Sequence, residues 1–582
     1  MSQQDTDDRQ QRSEPSRLGR FIPIFDWLPR YQGSWLRPDL IAGITVAALV
    51  VPKSLGYATI AGVPIQHGLY AAAAGALIYA LFGSSGQIAT GPSSALAAVA
   101  AGALVSAGIS AGGEDAVAMV AAITLVSGVL FLLMAIFKMG WISQFLSKPV
   151  ITGFLFGAAI QVVIGELPKI TGTEIDGDNS WEKLWSWIQS LPDTDSATLV
   201  VGVASLAIVF GLKYIAPKIP GALVLVVVGL IGSVALDLES RGVALIGDVP
   251  RGLPSLVLPD LAFIGANFTV IITASIGLLL IGFSQTAGDA RAFASKHRYH
   301  VDINQESTAQ GMCNVGSGLV QGIPVSTSLS ASSLNDTSGA KSQMASLTTG
   351  VMVVLTLLIL APLFSDLPQA VLAALIIQAV VSGMMDVPEM RRLYRVLRVD
   401  FWIAMAALIS VLTAGVLAGV VIGVFLSLGY VIYLSASPEL PVLGRRRGSQ
   451  AFQSVDADAE TVTFPGILVM RIDTALYFAN SEALEDRLRN VTADVDPPLH
   501  LVVLSFEGVN FMDSQASDSI GRVVDLAHRR GIDIRVSRIK QPAYEVLLVD
   551  GVIDRLGEDN IFPTTYEAVR DQLPPADQIV NP

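Results

Sequence analysis

"TGPSSAL", residues 90–96, decides how this chain is read. It lies inside a run, residues 54–113, that contains no Asp, Glu, Lys or Arg. An uncharged run of that length belongs in lipid, where one helical crossing takes about 20 apolar residues. A plain membrane helix has no use for Gly-Pro followed by two serines at mid-span. Proline removes a backbone donor and breaks the helical ladder, and the hydroxyls enter a region without water. The run therefore holds several crossings, one of which starts inside the membrane.

Composition supports that reading. The 582 residues are 52% hydrophobic and only 15% charged, against about 25% charged for an ordinary soluble domain, and the mean hydropathy is +0.57. The polar N-terminus "MSQQDTDDRQQRSEPSR" has no apolar core followed by a small-residue cleavage site, so no cleavable signal peptide is read and the first helix directs insertion. Cys313 is the single cysteine, which excludes an internal disulfide and any multi-cysteine metal site. The net charge of -13 gathers in the tail, in loops and beyond residue 438, and nothing resembles a nucleic-acid surface. The five histidines, His67, His297, His300, His500 and His528, show no metal-ligand spacing with carboxylates. No enzyme, metal or cofactor is expected.

Charge-free runs place fourteen spans near 40–60, 68–84, 91–108, 116–137, 149–165, 196–212, 219–236, 261–288, 307–321, 324–335, 342–365, 367–385, 401–416 and 417–434. With a cytoplasmic N-terminus, even-numbered spans must end inside, beside basic residues. Lys138 and Lys148 follow the fourth span, Lys213 and Lys218 the sixth, Arg391, Arg392, Arg395 and Arg398 the twelfth, and the eighth delivers Arg291, Lys296 and Arg298. The opposite connection after the fifth holds Glu174, Asp176, Asp178, Glu182, Asp193 and Asp195. The expectation is a multi-pass protein of the plasma (inner) membrane with both termini cytoplasmic.

The interrupted spans form a pair. "TGPSSAL" opens the third, and "GIPVSTSLSASSL", residues 322–334, opens the tenth, seven spans later and from the other face. Seven spans per repeat invert the second copy, and Gly/Pro-broken segments in matching positions of inverted halves point to a binding site at the midplane. A helix starting there leaves its first N–H groups unbonded and carries about half a positive charge. Two such ends, fringed by Thr90, Gly91, Ser93 and Ser94 on one side and Ser326, Thr327, Ser328 and Ser330 on the other, would cradle an anion. Helix packing through small residues is the competing account of these glycines and serines.

Four stretches carry a resemblance to a known family: "VPKSLGYATIAGVPIQHGLYAAAAGALIYALFGSS", "FLSKPVITGFLFGAAIQVVIGELPKITG", "VDINQESTAQGMCNVGSGLVQGIPVSTSLS" and "PGILVMRIDTALYFAN". They resemble the sulfate-permease (SulP) family, bacterial relatives of the animal multifunctional anion exchangers and prestin, over residues 21–570. The resemblance implies a seven-plus-seven inverted repeat, a core domain moving against a gate domain as an elevator, and often a homodimer. It also implies an inorganic or small organic anion as substrate (sulfate by default; bicarbonate, chloride, nitrate or dicarboxylate as alternatives) with proton or sodium coupling. A channel or voltage-driven motor stays open, because prestin shares the framework. Tyr57 joins the site residues on the same basis. Where family members carry Gln, an acidic residue and Arg, this chain has Lys53, Gln285 and Ala331. Asp289 lies one helical turn beyond Gln285, so Lys53 is expected to supply the cradle's positive charge and to pair with Asp289, the site of the coupling proton.

After residue 438 the pattern changes. A polar linker, 439–463, precedes "GILVMRI", "LHLVVLSF", a helix-like "SDSIGRVVDLAHRRG" and "IDIRVSRI". Strand and helix alternate, giving a small α/β domain over 464–572 that resembles the STAS domain of the same family. Residues 21–438 form the all-α transport domain, and 1–20 and 573–582 are expected to be disordered tails. In "FMDSQASDSIGR" the resemblance places a phosphorylated serine at what is here Gln515, leaving Asp513, Ser514 and Ser517 as candidates for contact with a cytosolic regulator. The simpler reading is that Asp513 and Ser514 cap the following helix.

Overall fold

The computed structural model describes residues 21–139, 147–177, 179–216, 221–247, 249, 251–436, 440–455, 461–493 and 498–573. Expectations for Asp178, Lys218, Pro438, residues 1–20 and 574–582, and parts of the linker lie outside them. The chain divides into two compact units, Met1–Ser427 and Leu428–Pro582.

The first unit is a helical bundle. Its elements are α1 (Leu36–Ile60), α2 (Gln66–Phe82), β1 (Thr90–Pro92), α3 (Ser94–Ser106), α4 (Glu114–Ile136), α5 (Lys148–Thr171), α6 (Ser196–Ile215), α7 (Gly221–Ala235) and α8 (Phe268–His297). They are followed by α9 (Ile303–Leu319), β2 (Val325–Thr327), α10 (Leu329–Thr337), α11 (Met344–Leu355), α12 (Gln369–Gly383), α13 (Val387–Val396), α14 (Arg398–Gly415) and α15 (Val421–Ala436), whose last residues, from Leu428 on, belong to the second unit. Among the described residues eight helices are long and apolar enough to cross a membrane alone. Each of the fourteen expected segments carries a helix.

Local chemistry explains many boundaries. Asp195, Asp302 and Asp386 accept hydrogen bonds from backbone N–H groups in the first turns of α6, α9 and α13, satisfying donors that a helix start leaves open. Gly415, at φ 85°, separates α14 from α15 in a conformation that only glycine adopts without strain. Where α4 crosses α9, a Cβ on Gly128 would lie 2.6 Å from the Val315 nitrogen and one on Gly311 3.0 Å from the Gly128 oxygen. Backbones meet there with no room for side chains, as small residues allow in membrane bundles.

Two boundaries differ from expectation and shape the site. The third and tenth segments do not begin as helix at 91 and 324. Residues 90–92 and 325–327 are extended and pair antiparallel, Thr90 opposite Thr327, Gly91 opposite Ser326 and Pro92 opposite Val325, so the membrane domain is not purely helical. The physical cause is proline: Pro92 and Pro324 push the residue before them out of the helical region and cannot donate to a helical ladder. At mid-membrane the freed backbone groups must be paired, and each segment supplies the other. In addition, α8 extends to His297 rather than ending near 288.

The second unit has the expected α/β pattern. Four parallel strands, Ile467–Arg471, Leu501–Ser505, Asp533–Ser537 and Ile561–Phe562, lie in sequence order. Ile520 of helix Ser514–Arg529 joins Met470, Leu504 and Val536 of the strands in one core, each fully or nearly fully buried. Hydrogen bonds from Arg535 to both carboxylate oxygens of Asp571 hold that carboxyl well below the usual carboxylate range and tie the last turn to the sheet.

Candidate anion-binding site

The cradle expected from the sequence is assembled across the β1–β2 pair. α3 starts at Ser94, just after β1, and α10 at Leu329, just after β2, so two helix N-termini open where the strands end. Pro92, Ser93, Ser94, Thr327, Ser328 and Ser330 line one cavity of about 990 Å³ together with Lys53, Tyr57, Gln285 and Asp289. Gly91 and Thr90 line a smaller adjoining recess, about 20 Å³, that also touches Lys53, Tyr57, Ser328 and Ala331. Ser326 is fully buried behind the cavity wall.

Hydroxyls connect the parts. Ser326 Oγ donates to Gln285 Oε1 at 2.8 Å and Ser93 Oγ to the same oxygen at a long 3.5 Å, so Gln285 of α8 bridges both arms. Lys53 Nζ donates to Ser330 Oγ at 3.2 Å, and Ser330 shares a 3.3 Å bond with Ser328. Thr327 Oγ1 donates to Asp289 Oδ2 at 2.8 Å. Thr90 Oγ1 is buried with no hydrogen-bond partner among the described residues.

The direct Lys53–Asp289 pair is not formed. No ion pair within 4.0 Å joins the two side chains; each is taken up by a different hydroxyl of the segment 327–330, Lys53 by Ser330 and Asp289 by Thr327. Lys53 and Asp289 thus face the same cavity without neutralising each other, beside two helix ends that favour an anion. Among the described residues no group of three His, Cys, Asp or Glu could hold a metal ion.

The two flanking serines are not equivalent. Ser328 Oγ caps α10 by accepting from Ala331 N at 3.4 Å, whereas Ser93 caps nothing. Ser328→Ala should therefore lower the melting temperature as well as anion affinity, the cap and the hydrogen bond each contributing about 1 kcal/mol. Ser93→Ala should alter affinity alone. Equal thermal stability of the two variants would contradict the capping geometry.

What holds the cradle lies on α9, outside the site residues expected from the sequence. Glu306, Gln310, Asn314 and Ser317 form one stripe of α9, all buried. Gln310 Nε2 and Asn314 Nδ2 donate to the Val325 carbonyl at 2.8 and 2.9 Å, Asn314 Oδ1 accepts from Val325 N, and Ser317 Oγ donates to the Ile323 carbonyl. Glu306 accepts from Tyr79 Oη at 2.6 Å and from Ser84 N at 3.0 Å, fixing the segment that enters β1. The signal was present as polar residues at helical spacing inside an otherwise apolar span. Lys213, in the last turn of α6, also lines the large cavity and donates to Ser382 Oγ at 3.0 Å.

In the second unit Asp513 is a helix cap: its Oδ1 accepts from Ala516 N and its Oδ2 from Phe478 N, both at 2.9 Å. Ser514 and Gln515 are exposed, while Ser517 is fully buried.

Helices crossing a membrane many times, with two broken segments meeting over a charged cavity, define a membrane transporter. The chain matches the Sulfate permease family over residues 36–407 and the STAS domain over residues 458–571. It is 34% identical over 541 residues to the probable sulfate transporter MT1781 of Mycobacterium tuberculosis, covering 93% of this chain and 96% of that one. To sulfate transporter 4.1, chloroplastic, of Arabidopsis thaliana it is 30% identical, over 95% and 82% of the two chains. Its fold is shared with SLC26A9 (TM-score 0.85, 22% identity, covering 95% and 93%). The transmembrane domain of the cyanobacterium bicarbonate transporter BicA is also similar (TM-score 0.57, 21% identity, 69% and 99%). The chain belongs to the sulfate permease family: it is a multi-pass anion transporter of the membrane, not an enzyme.

Proposed function

We propose that this protein performs secondary active transport of an inorganic or small organic anion, with sulfate the first candidate, through the cradle between β1–α3 and β2–α10. The observation that carries this reading is the convergence of two helix N-termini, Lys53 and Asp289 on one cavity of about 990 Å³. The helix ends and Lys53 attract the anion, and the hydroxyls of Ser93, Ser328 and Ser330 exchange their bonds to Gln285 and to one another for bonds to it. Asp289 takes and releases the coupling proton as the core moves against the gate in an elevator step. In its neutral form it no longer opposes the anion's charge, so proton and anion move together. The sulfate-transporter relatives support sulfate, and the basic connections support cytoplasmic termini in the inner membrane. A homodimer with a STAS domain open to a cytosolic regulator completes the proposal.

The test is a thermal-shift panel of sulfate, bicarbonate, nitrate, chloride, succinate and fumarate, since a ligand at 100 times its dissociation constant stabilises by about 2.7 kcal/mol. No shift with any of them would remove the anion cradle. In proteoliposomes, wild-type uptake should rise with an inward proton gradient and collapse with it. Asp289→Asn, fixed in the neutral form, should lose that pH dependence. A wild-type pH profile in Asp289→Asn would place the coupling proton elsewhere.

A further inference from the structure

The short helix α13 stands apart from the transport site and carries an unusual division of charge. Its inner face buries Met390 and Leu393 against Phe156, Ala404 and Met405. Glu389 pins the helix by accepting two hydrogen bonds from Arg392, at 2.8 and 2.7 Å, and an ion pair from Lys148 of α5 at 3.0 Å. The outer face holds Arg391 and Arg395, four residues apart and so on one side of the helix, with Tyr394 between them; all three are exposed. Among the described residues no carboxylate pairs with Arg391, Arg395 or Arg398, and Arg398 lies over the Tyr394 ring at 5.9 Å.

Beside these guanidinium groups sit apolar side chains that this unit leaves partly uncovered. Val396 is 69% exposed, Trp402 63% and Tyr394 51%, with Leu397 and Val399 each beyond 40%. The apolar residues continue directly into α14, one of the helices apolar enough to span the bilayer. Free cations next to Trp, Tyr and aliphatic side chains at the end of a spanning helix match the layered chemistry of a bilayer boundary, with phosphate outside and hydrocarbon within.

We propose that the outer face of α13 and the start of α14 form a binding surface for the headgroups of anionic phospholipids. The guanidinium groups of Arg391, Arg395 and Arg398 donate to headgroup phosphate oxygens, while Trp402, Leu397 and Val399 meet the glycerol and upper acyl region. Glu389 serves the surface indirectly: by binding Arg392 and Lys148 it holds the inner face down and leaves the outer arginines unpaired. A free phosphate ion would engage the arginines but not the apolar half of the patch.

The experiment uses the full chain in neutral detergent, titrated with phosphatidylglycerol, phosphatidylcholine or inorganic phosphate, reading bound lipid by native mass spectrometry and the melting temperature. Phosphatidylglycerol should bind and raise the melting temperature, and the two other probes should do neither. The Arg391→Gln, Arg395→Gln, Arg398→Gln variant should bind it roughly a hundredfold more weakly, each basic residue at an anionic surface contributing about fivefold. Its anion-induced thermal shift should stay at wild-type size, since these arginines lie outside the cradle. If the triple variant does not fold, the single variants Arg391→Gln and Arg395→Gln should each lose about fivefold. Unchanged phosphatidylglycerol binding in folded variants overturns the proposal. So does an equal response to inorganic phosphate, which indicates a plain anion site, or a change in oligomeric state in the triple variant, which indicates an interface between copies.

Discussion

Lys53→Gln should weaken anion binding roughly ten- to a hundredfold while the protein stays folded. Lys53 is the cavity-lining cation that reaches the first turn of α10, through Ser330. Its contribution to a bound anion is a charge-assisted hydrogen bond, about 1.5–3 kcal/mol, and each 1.4 kcal/mol is tenfold in affinity. Folding should be spared because the side chain is only half-buried and makes one hydroxyl contact. The concentration of anion giving a half-maximal thermal shift measures the effect. Ala331 packs against Val46 and Ala89 and lines the same small recess as Lys53. A Lys53→Gln, Ala331→Arg double variant should therefore restore part of the affinity, limited by a recess of about 20 Å³. Wild-type affinity in Lys53→Gln would show that the anion is held without Lys53.

Glu306→Ala should be among the most destabilising single substitutions in the membrane domain. The carboxylate is fully buried and accepts from Tyr79 Oη, Ser84 N and Ser84 Oγ. Removing it leaves the fully buried Tyr79 hydroxyl without an acceptor, at about 1–3 kcal/mol for a buried group, and releases the two donors of the exposed Ser84, so a loss of about 2 kcal/mol or more is expected. Glu306→Gln keeps one acceptor oxygen and should fall between Ala and wild type. Thermal unfolding of the purified variants measures the order, and a Glu306→Ala protein as stable as wild type would refute it. Because Ser84 leads into β1, anion affinity should fall along with stability even though Glu306 does not line the cavity.

The glutamate illustrates how the sequence informs and where it stops. "STAQGMCNVGSG" reads as one more span, and its polar residues are visible at helical spacing. Nothing local says that Asn314 grips Val325 or that Glu306 grips Ser84. The Lys53–Asp289 pair was a reasonable inference from charge inventory, since an ionisable group in a span calls for a partner. The partners turned out to be hydroxyls of the segment 327–330, which the same inventory could not rank.

What the sequence determined by itself was everything that short-range chemistry and the bilayer enforce. Charge-free runs of crossing length located the helices, basic connections suggested an orientation, and a Gly and a Pro shortly before serines marked the two breaks. Strand and helix periodicities separated the α/β domain from the membrane part. The tertiary structure alone decided that the breaks are strands rather than frayed helix, paired Thr90 to Thr327 and Pro92 to Val325. It also decided that α9 carries them and that Lys53 and Asp289 share a cavity without touching. The reason is physical: in lipid a freed backbone group must find a partner inside the protein. Which partner it finds depends on segments that meet only when the two halves of the chain pack together.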